Sequence, residues 1–111
     1  MATYSTSARC ALAGGMPIAP STSTYPTEAM IDQYREMAYV QIYHIIATAT
    51  DSNNVARTVE EQLVAAAIQA AIQKIPYIMV LDDNQKAWLN GEFNSYAIYL
   101  FEPDKDGAIS G

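Results

Sequence analysis

The sequence predicts a mainly α-helical fold: a small helical bundle of one short N-terminal helix and two long antiparallel helices, with a β-strand or hairpin element near the C-terminal end. Three observations predict it. Residues 27–49 carry apolar side chains at helical spacing. Residues 58–75 are Ala-rich, apolar on almost every side and stopped by Pro76. Ser95–Phe101 (Ser-Tyr-Ala-Ile-Tyr-Leu-Phe) is rich in aromatic and β-branched residues, the composition of a strand. A chain of 111 residues suits a single domain. Its parts are a short helix with an arm (1–26), a helical core (27–75) and a strand-containing segment (76–111).

Each element has its local reason. Ser7–Ala13 forms a short helix, capped by Ser5 or Thr6 and stopped by Gly14-Gly15. Met16–Thr24, with Pro17 and Pro20, is a loop or extended arm. The first long helix opens at Thr27, an N-cap with Pro26 just outside it, and runs to about Ala49. Met30, Ile31, Tyr34, Met37, Ala38, Ile42, Ile45, Ile46 and Ala49 share one arc, while Asp32, Gln33, Glu36, Tyr43 and His44 take the other side. Arg35 and Gln41 intrude on the apolar arc.

The second long helix has a capping-box signal, Thr58-Val59-Glu60-Glu61, and runs to about Ile75. Val59, Leu63, Ala66, Ala67 and Ala70 make one apolar face; Val64, Ile68, Ile72 and Ile75 make another, with Gln62, Gln69 and Gln73 between them. A helix apolar on two faces is buried twice, and the expected second burial partner is another subunit. Tyr77–Leu81 reads as a strand or as a helical continuation after Pro76. Asp82-Asp83-Asn84-Gln85 caps a short helix reaching Leu89 and ending at Asn90-Gly91, unless that Asn-Gly pair is a turn between strands.

Half the residues are apolar, only 16% are charged and the net charge is −6. That apolar content excludes a disordered acidic tail. Six basic residues against twelve acidic ones argue against binding nucleic acid through its phosphates. The expectation is a chain with no sequence-specific nucleic-acid binding and no membrane span, since its uncharged stretches are too short and too interrupted by Gln, His and Thr. No basic and apolar leader is legible at the start, so a soluble chain in a reducing compartment is expected. A single cysteine, Cys10, excludes an intrachain disulfide and a zinc site built from cysteines.

The chemistry-bearing residues each have a structural reading that outweighs a catalytic one. Cys10 and His44 are the arithmetical thiol–imidazole pair, but Cys10 sits among Ala and Leu as a small hydrophobe would. Asp82, Asp83, Asp104 and Asp106 read as solvated turns; Asp104-Lys105-Asp106-Gly107 lacks the distant Glu of a calcium loop. Glu60 and Glu61 point about 100° apart, so they do not face one another. No enzyme activity, cofactor or metal is therefore expected. Tyrosine occurs eight times, at Tyr4, Tyr25, Tyr34, Tyr39, Tyr43, Tyr77, Tyr96 and Tyr99, and suits half-wet interfaces. Tyr39 and Tyr43 form an i, i+4 pair on the outward face of their helix. The residues expected at a subunit interface are Tyr39, Tyr43, Val64, Ile68, Ile72, Tyr96, Ile98, Tyr99, Leu100 and Phe101.

The order of these features has a likeness. A short N-terminal helix, a Pro- and Ser/Thr-rich loop, Ser23-Thr24-Tyr25-Pro26-Thr27 opening a helix that carries Ile31-Asp32, and then an Ala-rich helix after an Asn/Asp loop resemble the small head–tail connector proteins of tailed bacteriophages, also called adaptor, head-completion or neck proteins. The likeness covers residues 5–75 and is one of order and spacing. It implies a structural virion protein of the neck, assembled in the host cytoplasm. Such proteins form a homo-oligomeric ring, commonly of twelve copies, between the portal and tail or neck proteins, with DNA passing through the lumen. The competing expectations are a cytosolic helical regulatory or protein-binding dimer and, with least support, a small enzyme using Cys10 or His44.

Overall fold

A computed structural model describes residues 3–46 and 53–91. Within them the chain is mainly helical, with α1 (Ser7–Ala13), α2 (Glu28–Ile46), α3 (Asn53–Gln73) and α4 (Asp83–Leu89), and no strand occurs among the described residues. The expected strand at Ser95–Phe101 lies outside them.

Local capping sets most of the boundaries. The Thr6 hydroxyl accepts from the Arg9 N–H and starts α1. Gly15, at φ +84°, ends it: the Gly15 N–H bonds Leu12 O and the Met16 N–H bonds Ala11 O, a Schellman closure. Thr27 opens α2, its hydroxyl accepting from the Met30 N–H at 3.2 Å. α3 closes as α1 does, with Lys74 at φ +58° in the left-handed position that glycine usually takes. The Lys74 N–H reaches Ala71 O and the Ile75 N–H reaches Ala70 O. α4 begins with the full capping box of Asp82 and Gln85 and ends at Asn90-Gly91, with Gly91 at φ +84°. The helical alternative for residues 82–91 is therefore the one adopted.

The start of α3 corrects the sequence reading. The helix begins at Asn53, five residues before the expected cap. Thr58 lies inside it and donates its hydroxyl back to Asn54 O at 3.0 Å. Burial explains the extension: Ala56 and Val59 are fully buried and Val55 packs against the core, so the preceding turn is held by tertiary contact.

α3 is the centre of the fold, and α1, α2 and α4 all pack on it. The core joins Cys10 and Ala11 of α1, Ile31, Ala38 and Ile42 of α2, Val59, Leu63, Val64, Ala67 and Ile68 of α3, and Leu89 of α4. Of the two apolar faces of α3, the first is covered within the chain at Val59, Leu63, Ala67 and Ala70, and the second at Val64 and Ile68 but not at Ile72 and Ile75, which are exposed. Val64 and Ile68, expected at a subunit interface, are fully buried here. Ile68 lies against Gly14, where an added Cβ would come within 3.0 Å of its side chain, and Gln69 Nε2 donates to Gly14 O. The partner that the sequence reading missed for this part of the face is α1 with Gly14, of the same chain. Ala66, placed on a core face by its spacing, is exposed.

Candidate functional site: a buried carboxylate clamp and an exposed apolar edge

Two places on this fold concentrate chemistry. The first lies where α2 and α3 meet the N-terminal segment. Glu60 is completely buried. One of its carboxylate oxygens accepts the Tyr4 N–H at 2.8 Å and the other the Ser5 N–H at 3.0 Å. Arg35 Nε stands 3.7 Å from the same carboxylate. The other nitrogens of Arg35 donate to Asp32 at 2.6 Å, to Ser5 O at 2.5 Å and to the Thr3 hydroxyl. Side chains of two helices therefore grip both the donors and the acceptor of a bend at Tyr4 and Ser5. Glu61 works beside them, accepting from the Ser5 hydroxyl at 2.5 Å and from Arg9 Nε at 2.7 Å.

The electrostatics follow from this geometry. Burial pushes the Glu60 carboxyl above its usual range, against the opposing pull of the Tyr4 and Ser5 amides and Arg35. Burial acts on Glu61 in the same direction, but the bonds from Arg9 and Ser5 outweigh it and hold that carboxyl below its usual range. The Tyr4 and Ser5 amides are bonded to Glu60, while Arg35 Nε, at 3.7 Å, is buried beside it without a hydrogen bond of its own. The arrangement is that of a structural clamp, in which a buried charge is retained because it is paired and hydrogen-bonded.

Arg35 and Glu60 were both legible in part. Arg35 intrudes on the apolar arc of α2. Glu60 falls near the middle of the buried arc of α3, between Val59, Leu63 and Ala67 on one flank and Val64 and Ile68 on the other. The capping-box spacing points to Glu61 and away from it. A charged residue centred on an apolar arc was the available signal, and two such residues on neighbouring helices are natural partners.

The second place is the segment Tyr77–Leu81. Its side chains alternate: Met79 and Leu81 enter the core, while Ile78 and Val80 are 84% and 60% exposed. The other intruder on α2 explains this. The Gln41 amide donates to Met79 O at 2.6 Å and accepts the Leu81 N–H at 3.0 Å. A side chain thereby stands in for a neighbouring strand. Beside this segment, Tyr34 and Met37 of α2, Ala67, Ala70 and Ala71 of α3, and Ile75, Tyr77 and Met79 line a shallow apolar recess of about 160 Å³.

The remaining expected residues are dispersed. Tyr4, Tyr39 and Tyr43 stack in sequence, with ring centroids 5.0 and 5.6 Å apart. Tyr39 is half-buried by Tyr4 of its own chain, and Tyr43 is half exposed. Ile72 is 43% exposed. Tyr96, Ile98, Tyr99, Leu100 and Phe101 lie outside the described residues, as do Asp104 and Asp106. Cys10 is fully buried and its thiol is pushed up to about 12, chiefly by that burial. His44 is exposed on α2. Among the described residues no three His, Cys, Asp or Glu side chains are placed to hold a metal ion, and no helix is long and apolar enough to cross a membrane. No family model, curated protein or solved structure matches the chain.

Proposed function

We propose that this chain is a structural virion protein, a subunit of the ring that joins the portal vertex of a tailed phage to its tail. The observation that carries this reading is apolar surface on two different sides of one small subunit. Leu12 and Ile18, on α1 and the loop after it, are 76% and 64% exposed beside a recess of about 210 Å³. Val40 and Tyr43, on the outer face of α2, are 58% and 51% exposed. Closing a ring head to tail requires two unlike faces on each subunit, and contiguous exposed apolar surface marks contact sites.

Two further features support it. The order of short helix, Pro- and Ser/Thr-rich loop, long helix and Ala-rich helix is the order on which the likeness to head–tail connectors rests. A net charge of −6 gives a lumen little hold on passing DNA, whereas a basic lumen would retain it by counterion release. In this reading Ser95–Phe101 is a strand that adds to a neighbouring subunit or tail protein.

Negative-stain images and the solution mass of the purified chain test the proposal. Closed rings are expected, and Leu12→Glu or Val40→Glu, both at exposed positions, should prevent them. A chain that stays monomeric or dimeric at every soluble concentration overturns the ring.

A further inference from the structure

We propose that Tyr77–Leu81 pairs antiparallel with the same segment of a second copy of this chain, with the two-fold axis at Met79. The first argument is the state of the segment's two edges. In an extended chain the C=O of residue i and the N–H of residue i+2 share an edge. Gln41 takes up one edge through Met79 O and the Leu81 N–H. The backbone groups of Ile78 and Val80 therefore project from the other, and among the described residues they make no hydrogen bond.

The second argument is that between Pro76 and Asp82, which mark its two ends, this edge carries none of the usual protection. Natural edges are blunted by charge, proline or a bulge. From Tyr77 to Leu81 there is no charged residue and no proline, and the outward side chains are Ile78 and Val80.

The third argument selects the partner. Exposed Lys74 flanks one end of the segment, and exposed Asp82 and Asp83 flank the other. A parallel copy would set like charges together. An antiparallel copy brings each Lys74 toward the partner's acidic pair, which both attracts and sets direction. The free edge then dictates register. Ile78 faces Val80 of the partner subunit as a hydrogen-bonded pair, the reciprocal pair forms across the axis, and all four side chains share one outer face.

This pairing is two-fold and does not rest on the ring. Its test uses two full-length variants, Ile78→Cys and Val80→Cys, each at an exposed position, under mild oxidation with oxidised glutathione. In a hydrogen-bonded pair the Cα atoms lie about 5.5 Å apart, within disulfide reach. Mixed chains should cross-link at least about tenfold faster than either variant alone, because Ile78 meets Val80 and not itself. Buried Cys10 does not compete. In parallel, Lys74→Asp should weaken the dimer measured by light scattering more than about tenfold, and adding Asp83→Lys should restore it. A wild-type chain that is monomeric at its highest soluble concentration overturns the pairing. So do like-with-like cross-links as fast as mixed ones, or an edge covered instead by Ser95–Phe101, seen as protection of Ile78 and Val80 in the monomer. Dimers without rings remove the ring and leave the pairing; rings formed while the mixed cross-link fails remove the pairing and leave the ring.

Discussion

Replacing Glu60 by Gln isolates the charge of the buried clamp at nearly constant shape. The amide oxygen keeps one of the two backbone bonds, to Tyr4 or Ser5, and the amide nitrogen then faces the other N–H as donor against donor. Losing one hydrogen bond to a charged acceptor costs about 1.5–3 kcal/mol, and turning the other into a neutral bond costs roughly 1 kcal/mol more. Arg35 loses a partner at 3.7 Å but keeps Asp32 at 2.6 Å, so little is added there. Relief of burying a charge offsets part of the loss. The net expectation is a destabilisation of about 2–4 kcal/mol, a large share of the roughly 5–15 kcal/mol that holds a domain folded. Urea unfolding followed by circular dichroism measures it, and hydrogen exchange should show the Tyr4 and Ser5 amides losing protection. Glu61→Gln is the control. Its charged partner Arg9 is exposed, so solvent screens that pair, and a neutral Gln still accepts from the Ser5 hydroxyl; a smaller loss than for Glu60→Gln is expected. A Glu60→Gln chain within about 0.5 kcal/mol of wild type, or a larger loss from Glu61→Gln, would refute the clamp.

Four further outcomes are expected. Glu61 is held below its usual range when folded, so it contributes stability that is present above the unfolded value and lost as pH falls through the folded one; acid titration of the urea midpoint should show this component in wild type and not in Glu61→Gln. Glu60 has the opposite sign: its raised value makes ionisation costly in the folded state, so wild type gains stability as pH falls through the folded value and the penalty of Glu60→Gln should grow as pH falls into the ordinary carboxylate range. Cys10, buried and pushed up to about 12, should react with a thiol reagent only at the rate of unfolding, and urea should accelerate the reaction sharply. Gly14→Ala should cost about 1–2 kcal/mol in the same unfolding assay, because the new methyl meets the fully buried Ile68 side chain at 3.0–3.1 Å.

The capping residues are the part of the fold that local spacing makes legible. Thr6, Thr27, Asp82 with Gln85, Gly14-Gly15 and Asn90-Gly91 each act on backbone groups within a few residues of themselves. Their meaning is carried by spacing alone, so α1, the start of α2 and α4 occur where the sequence places them. Thr58 and Glu61 carry the same spacing and mislead. Core contacts of Val55, Ala56 and Val59 extend α3 upstream, and Glu61 turns toward Ser5 and Arg9.

The sequence by itself determined that the chain is mainly helical, where three of its helices begin or end, and that Arg35 and Gln41 break an apolar arc. Only the tertiary structure decided what those intruders meet: Glu60 with the backbone of residues 4–5, and the edge of Tyr77–Leu81. It also decided that Val64 and Ile68 are buried within the chain, Ile68 against Gly14 at the end of α1. The reason is range. A cap or a breaker works on neighbours along the chain, whereas the partner of a buried polar group or an apolar face comes from another element, and periodicity shows that a face must be covered without showing by what.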